Sequence, residues 1–149
     1  MQNYTEAVTQ ALQAAISYAE EHHHTEITEN HLLLGFLQEK EGYFHNIIHL
    51  LKLSFTTLKT KTEEALSQLP TFSGAPQTPQ ASRSLQNRLQ EAQNLAKQWQ
   101  DSYVSSDHFF YVYWKNAQEP FSSWKLASKI SIGQVEETIK KIRGDRHMD

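Results

Sequence analysis

At 149 residues the chain can form one domain, or two halves that share one core, but it has no room for a nucleotide-binding domain as well. Its 14 Lys and Arg nearly balance 17 Asp and Glu, and no helical face carries a basic stripe, so nucleic acid is not an expected partner. The absence of cysteine excludes disulfides, Cys-ligated zinc and a thiol nucleophile. The start has no basic stretch followed by an apolar run, and no segment is apolar for long enough to span a membrane. We therefore expect a soluble cytoplasmic protein with no membrane partner.

The chain is an internal repeat. One constant shift, which carries Thr28 onto Ser105, places the second half on the first without a gap, so that 28–34 falls on 105–111. Under this repeat shift apolar residues such as Leu12 and Leu89 keep step. Half of the chain alone would bury too little apolar surface to be stable. We therefore predict two copies of one small helical unit packed against each other.

Each copy is predicted to contain four helices, from apolar residues at spacings of three and four and from the breaks between them. In chain order these cover 5–21, 29–39, 43–52 and 55–68, and then 82–100, 106–116, 120–129 and 132–143. The second helix of each copy is apolar on almost every side, so we expect it to be the most buried element. Hydroxyl residues stand where five of the helices should begin and are candidate N-caps: Thr5, Thr28, Ser54, Ser105 and Ser131.

Three of the four prolines lie between the copies, which predicts an extended surface linker over 70–81. We expect this linker to join repeat one, 4–69, to repeat two, 82–146, without belonging to either. The polar end, 143–149, follows the last periodic residue, Ile142, and is expected to fray or to begin a further linker.

No catalytic motif is present. All five glycines are isolated, so there is no phosphate-binding loop, and neither a His-Glu-x-x-His nor a nucleophile-elbow pattern occurs. The sequence therefore predicts a binding module that is not an enzyme and holds no cofactor of its own.

The eight histidines raise the question of a metal site. The run 22–24 points around a helix end, so we interpret it as solvated surface. His45 and His49 share a helical face but have no third ligand nearby, and a structural or surface role is favoured for both. His31 and His108 stand third in their capped helices, where we expect them to hold the helix start rather than to act in catalysis.

These features together resemble the N-terminal domain of the Clp/Hsp100 unfoldases, in its ClpB-type form. The likeness rests on the two hydroxyl-x-x-His motifs followed by large apolar residues, on the segment 65–70 that leads into the linker, and on the closing 142–144. It covers the chain from Tyr4 to Arg146. The resemblance implies an all-α fold of eight helices in two pseudo-twofold-related four-helix repeats, joined by a Pro-rich linker.

The function that the resemblance implies is substrate binding. Such a domain is similar in role to a lid that captures exposed apolar segments of unfolded or aggregated proteins for an ATP-dependent disaggregase. Glu91 and His108 stand where relatives tend to have leucine, so the groove is expected to be more polar or shifted. Leu95 also fits a core position, and Thr5 and Asp107 also fit helix starts. The residues that match the family's groove are Thr5, Leu95, Asp101 and Asp107.

The same resemblance implies the partners. These are unfolded or aggregated proteins, the ATPase rings of a full-length chain, where ATP would bind, and a DnaK-type co-chaperone system, with the isolated domain a monomer and the full-length protein a hexamer. One alternative is the adaptor-binding N-domain of a ClpA- or ClpC-type protease unfoldase, against which the ClpB-like linker argues. A second is a free-standing helical protein or a metal site that uses the histidines.

Overall fold

The computed structural model describes residues 3–39, 42–75 and 77–144. This part of the chain forms eight helices: α1 Glu6–Glu21, α2 Glu29–Gln38, α3 Tyr43–Leu50, α4 Phe55–Ser67, α5 Arg83–Gln98, α6 Ser106–Asn116, α7 Phe121–Ser128 and α8 Ile132–Arg143. Each helix begins within one residue of its predicted start and ends within two of its predicted end, so the predicted helical fold is confirmed. Four two-residue strands were not predicted: β1 Asn3–Tyr4, β2 Glu26–Ile27, β3 Gln80–Ala81 and β4 Tyr103–Val104.

Hydroxyl side chains begin the helices as expected. The Thr5 hydroxyl accepts a hydrogen bond from the Val8 amide at 3.4 Å, and Ser54, Ser82 and Ser131 make the same kind of bond at the starts of α4, α5 and α8. These bonds satisfy backbone N–H groups that have no partner inside the helix. The predicted caps Thr5, Ser54 and Ser131 therefore explain where α1, α4 and α8 start, and Ser82 is a cap that was not predicted.

The four strands join the two repeats. β1 pairs in parallel with β4, and β3 pairs in parallel with β2. The two pairs are equivalent under the repeat shift, because β1 corresponds to β3 and β2 to β4. The next bond in each pair follows the same rule: the Thr5 amide donates to the Val104 carbonyl at 3.0 Å, and the Ser82 amide donates to the Ile27 carbonyl at 2.9 Å. The repeats thus exchange equivalent strands, as a pseudo-twofold relation requires.

The second helices lie at the centre of one shared core, as predicted. Most of their large apolar side chains, including Leu33 and Phe110, are fully buried. The Phe44 ring lies 4.9 Å from the Phe36 ring in repeat one and 4.9 Å from the Phe110 ring in repeat two, measured between centroids. Aromatic contacts therefore bind the two copies together.

The linker is not independent of the repeats, contrary to the prediction for 70–81. At its start, the Thr25 amide donates to the Pro70 carbonyl at 3.3 Å and the Phe72 amide donates to the His23 carbonyl at 2.9 Å. At its end, β3 pairs with β2. The segment is thus attached to repeat one at both ends, because its free backbone groups find partners in the turn between α1 and α2 and in β2.

The prediction of a frayed end is wrong for Arg143. This residue is the last of α8, and its side chain is 7% exposed. Residues 145–149 of the predicted polar end lie outside the described residues. None of the helices in the described part of the chain has the length and apolar character needed to cross a bilayer.

Candidate functional site

An open cleft of ≈ 210 Å³ lies where the start of α1 meets the starts of α3 and α6. Its lining comes from both repeats and carries no charged side chain: Thr5, Ala7, Gly42, Tyr43, Asn46, Ser105 and Ser106. Thr5 is the predicted site residue that lines this cleft. Leu95, Asp101 and Asp107 do not line it.

Local backbone structure sets the walls of the cleft. The bond from the Thr5 amide to the Val104 carbonyl holds the start of α1 beside the residue that precedes Ser105. At the wall formed by the start of α3, Gly42 has a φ of 135°, and an added Cβ would lie 2.5 Å from Oε1 of Glu39. Glycine is therefore required there, and α3 begins directly after it.

The equivalent position, reached by the repeat shift, is filled by side chains. Three small residues of the cleft, Ala7, Gly42 and Ser106, correspond to Ser84, Glu119 and Glu29. The Glu29 side chain is 3% exposed and accepts a hydrogen bond from the Gln118 amide at 3.1 Å, while the Glu29 amide donates to the Ser84 hydroxyl at 3.3 Å. Small side chains thus leave the cleft open at one position, and the larger Glu29 side chain fills the equivalent position.

Arg88 compensates the charge of Glu29 at the closed position. Its Nη1 lies 3.8 Å from Oε1 of Glu29, and its Nε lies 2.9 Å from Oε1 of Glu91. Burial raises the pKa of Glu29, whereas the Gln118 amide and the charge of Arg88 oppose this shift. Glu91, expected to make the groove more polar, instead pairs with Arg88 on its own helix and does not line the cleft.

Two of the predicted site residues lie together behind the cleft wall. Arg143 donates from Nε and Nη2 to the two carboxylate oxygens of Asp107, at 2.6 and 2.9 Å, and from Nη1 to Oδ2 of Asp101 at 2.8 Å. Both carboxylates are fully buried. Asp107 also accepts a hydrogen bond from the Ser105 hydroxyl, and Ser105 lines the cleft. Because they are buried, these carboxylates cannot contact a bound chain directly in this arrangement. Their part in binding stays a prediction.

His108 completes the cluster and has a defined tautomer. Its Nδ1 accepts a hydrogen bond from the Ser105 amide at 2.9 Å, so Nε2 carries the proton that is donated to Oδ2 of Asp101 at 2.6 Å. Burial lowers the pKa of His108, although Asp107 and Asp101 act to raise it. Burial would also lower the pKa of Arg143, but the hydrogen bonds and charges of the two aspartates raise it. The cluster thus contains one fixed cation between two carboxylates.

Repeat one has a neutral version of this cluster. His24, Asn30, His31 and Leu66 stand where repeat two has Asp101, Asp107, His108 and Arg143. His31 Nδ1 accepts from the Thr28 amide at 2.8 Å, so its Nε2 donates to Nδ1 of His24, also at 2.8 Å. Burial lowers the pKa of His31 to about 4, and His24 and His22 add to this shift. Both His31 and His108 therefore hold their helix starts, as predicted.

His24 corrects the expectation for the histidine run. It is 3% exposed, whereas His22 and His23 are exposed as predicted. The turn after α1 places His24 under Tyr18 and against His31, with ring centroids at 6.1 and 5.0 Å. His45 has the predicted structural role, because its Nε2 donates to the Leu37 carbonyl at 3.0 Å. No group of three or more His, Cys, Asp or Glu among the described residues has the arrangement needed to hold a metal.

Leu95 is a core residue, 6% exposed on α5. Sequence reasoning missed Arg143 and the lining residues Ala7, Asn46 and Ser106. The repeat shift contained a signal for the clusters, because it pairs His24 with Asp101 and His31 with His108. Polar residues that recur at equivalent positions of both repeats are candidates for a shared structural role, so this equivalence would have indicated that the two pairs, His24 with His31 and Asp101 with His108, lie inside the fold.

Comparison with known proteins identifies relatives of the whole chain. The family described as the Clp repeat (R) N-terminal domain matches residues 3–124. The chaperone protein ClpB of Chlamydia pneumoniae is 37% identical over 149 residues, which is 100% of this chain and 17% of the relative. The chain thus spans about a sixth of the length of this curated relative.

Solved structures share the fold at lower identity. The N-terminal domain of Hsp104 from Candida albicans has a TM-score of 0.83 and 16% identity, over 99% of this chain and 96% of that one. A ClpV N-domain, solved as a complex with a VipB peptide, has a TM-score of 0.73 and 21% identity, over 94% of this chain and 86% of that one. At these identities the likeness shows the fold alone.

Proposed function

The chain belongs to the Clp repeat (R) N-terminal domain family, and on that premise we propose that it is a protein-binding module of an ATP-dependent disaggregase. Its task in this proposal is to capture exposed apolar segments of unfolded or aggregated proteins. The whole-chain similarity to ClpB chaperones supports this choice within the family.

The open cleft is the single observation that carries the proposal. Its ≈ 210 Å³ is smaller than the roughly 300–1,000 Å³ of small-molecule sites, so it suits one or two side chains of a longer ligand. Ala7 and the Tyr43 ring provide apolar surface, while hydroxyls and the Asn46 amide can bond the backbone of an extended chain. A lining without charge discriminates little between sequences, as capture of many unfolded chains requires.

The four residues implied by the family enter this proposal in different ways. Thr5 acts directly, since it lines the cleft. Asp107 and Asp101 act indirectly, because their bonds to Ser105, His108 and Arg143 fix the wall on the other side. Leu95 supports the site through the core.

The remaining partners are proposals about a longer protein. We assign ATP binding and hydrolysis to ATPase rings outside this chain, which in a full-length protein would assemble as a hexamer and work with a DnaK-type co-chaperone system. The isolated domain is proposed to be a monomer without a cofactor.

The proposal is tested by titrating the ¹⁵N-labelled domain with reduced, carboxymethylated α-lactalbumin, a permanently unfolded protein. Amide resonances of Ala7, Asn46 and Ser106 should shift, and native α-lactalbumin should leave them unchanged. Shifts confined to other surfaces, such as that around the exposed Leu126, would show that the binding surface is not the cleft. Absence of binding would contradict the proposed function itself.

The second candidate is recognition of one defined partner peptide, as for an adaptor-binding N-domain. The ClpV N-domain solved with a VipB peptide favours it, because that complex shows that a domain of this fold can hold a peptide. The two candidate functions can be separated by measuring the affinities of paired peptides that have the same composition but a different, scrambled residue order. Similar affinities for both members support capture of unfolded chains, whereas a preference of about tenfold, or about 1.4 kcal/mol, for one order would favour a defined partner.

A further inference from the structure

Arg143 is a buried cation at the very end of a helix. It is the last residue of α8 and is followed by Gly144 at a φ of 67°. A last-turn cation usually points into solvent, where it interacts with the helix dipole. The Arg143 side chain instead turns inward, is 7% exposed, and bonds to Asp107 and Asp101, which lie well before it in the chain.

A short series of bonds connects Arg143 to the cleft. The guanidinium holds Asp107 through two parallel bonds, Asp107 accepts from the Ser105 hydroxyl, and Ser105 lines the cleft. Nη2 of Arg143 also lies 3.4 Å from the Ser105 hydroxyl itself. Paired bonds of this kind fix orientation as well as distance. Without the cation, two buried carboxylates would repel each other and move toward water.

Repeat one shows the counterpart. There, Leu66 stands in the place of Arg143, and the Asn30 side chain donates to the Glu119 carbonyl at 3.2 Å, while the Thr28 hydroxyl accepts from the Asn30 backbone amide at 3.2 Å. This neutral set lies behind the position that Glu29 fills. The charged cluster and the open cleft therefore occur on the same side.

We propose that Arg143 is a positioning residue for the cleft. Its guanidinium holds Asp107, and through Asp107 it holds the wall formed by Ser105 and Ser106, so the C-terminal end of α8 and the cleft respond as one unit. The binding part of this inference rests on the proposed function. A ligand in the cleft changes the surroundings of Arg143, and a change at the end of α8 changes the cleft.

Two buried arginines make the first test internally controlled. Arg143 and Arg88 both have side chains that are 7% exposed, and Arg88 lies behind the filled position. In the titration with carboxymethylated α-lactalbumin, the Arg143 Nε–H resonance should shift together with the amides of Ser105 and Ser106. The Arg88 Nε–H resonance should stay in place. Cleft amides that shift while Arg143 stays unchanged would overturn the coupling but leave the proposed function intact.

The second test separates positioning from stability. Asp101→His, Asp107→Asn and Arg143→Leu together install the neutral set of repeat one, which should keep the domain more stable than Arg143→Leu alone. The triple variant should bind the unfolded protein at least about fivefold more weakly, a loss of about 1 kcal/mol. Lys140→Gln, which removes an exposed cation from the same helix, is the matched control and should bind as the original does. A folded triple variant with unchanged affinity would overturn the inference, and absence of any binding to the original domain would overturn the proposed function along with it.

Discussion

His24 and Asp101 occupy equivalent places in the two repeats, and each is hydrogen-bonded to the histidine that holds the next helix start. His24 Nδ1 lies 2.8 Å from His31 Nε2, and Asp101 Oδ2 lies 2.6 Å from His108 Nε2. The duplicated geometry has thus been kept while its charge has changed. The buried carboxylate of repeat two needs a counter-ion, which Arg143 supplies.

The neutral pair of repeat one predicts acid sensitivity. The pKa of buried His31 is lowered to about 4, so the unfolded state takes up a proton near pH 6.5 that the folded state does not bind. The stabilisation is therefore present above pH 6.5 and is lost as the pH falls toward 4, at up to about 1.4 kcal/mol per pH unit for this group. His31→Gln should flatten this loss while keeping the cap, as Gln134 does opposite Ser131.

Urea unfolding at pH 7, 6 and 5 measures the effect. The original protein should lose more stability over this range than His31→Gln. His24 and His108, whose pKa values are also lowered by burial, should leave the variant with some residual dependence. An equal loss in both proteins would contradict the assignment to His31.

In the charged cluster, the effects of single substitutions on stability should not add up in the combined variant. Arg143→Leu alone should destabilise the domain by about 3–5 kcal/mol, because it leaves two carboxylates buried without a cation. Adding Asp101→His and Asp107→Asn should restore a large part of this loss, since repeat one folds with the same set. Denaturant midpoints of the single and triple variants test this, and a single variant that costs less than about 1 kcal/mol would show that the carboxylates reach water.

Replacement of glycine by alanine should have opposite effects on stability at Gly35 and Gly133. An added Cβ at Gly35 would lie 2.5 Å from the Ala11 carbonyl oxygen, so Gly35→Ala should push α1 and α2 apart and cost about 1–3 kcal/mol. At Gly133, in the first turn of α8, the nearest atom would be 3.7 Å away, so Gly133→Ala should stabilise by about 0.4–1 kcal/mol. Thermal unfolding of the pair decides, and equal effects would contradict the close helix packing.

The shared core predicts similar costs in both repeats. Leu33→Ala and Phe110→Ala remove fully buried side chains from α2 and α6 and should each destabilise by roughly 2–5 kcal/mol. Leu126 is 72% exposed, so Leu126→Ala is the control and should change stability by less than about 0.5 kcal/mol. A small effect at either buried position would place the centre of the core elsewhere.

Much of the fold was predictable because its signals are local. Helix periodicity and hydroxyl caps act within a few residues, and the internal repeat doubled each signal. The strands were missed because such short segments have no periodicity, and their pairing depends on the other repeat. The prolines at 70–81 marked the segment between α4 and α5 but could not show that its backbone bonds to the turn after α1.

The site was harder to predict, for physical reasons. Asp101 and Asp107 are polar residues that would ordinarily be exposed. Their burial depends on Arg143, which lies on a different helix and is distant from both in the sequence. The cleft itself arises from small residues, Ala7 and Ser106. Their importance becomes clear only by comparison with Ser84 and Glu29, the residues at the equivalent positions of the other repeat. Such a comparison needs both repeats placed in space.

The most direct measurement for the whole account is the affinity of Asn46→Trp for carboxymethylated α-lactalbumin. Asn46 lines the cleft at an exposed position of α3, so an indole there should occupy the space without disturbing the core. Ser123 is its equivalent on α7, beside the filled position, and Ser123→Trp is the matched control. We predict a loss of about tenfold or more for Asn46→Trp, or about 1.4 kcal/mol, with Ser123→Trp unchanged and both melting temperatures near that of the original. Equal affinities for the two variants would contradict the claim that the cleft captures unfolded chains.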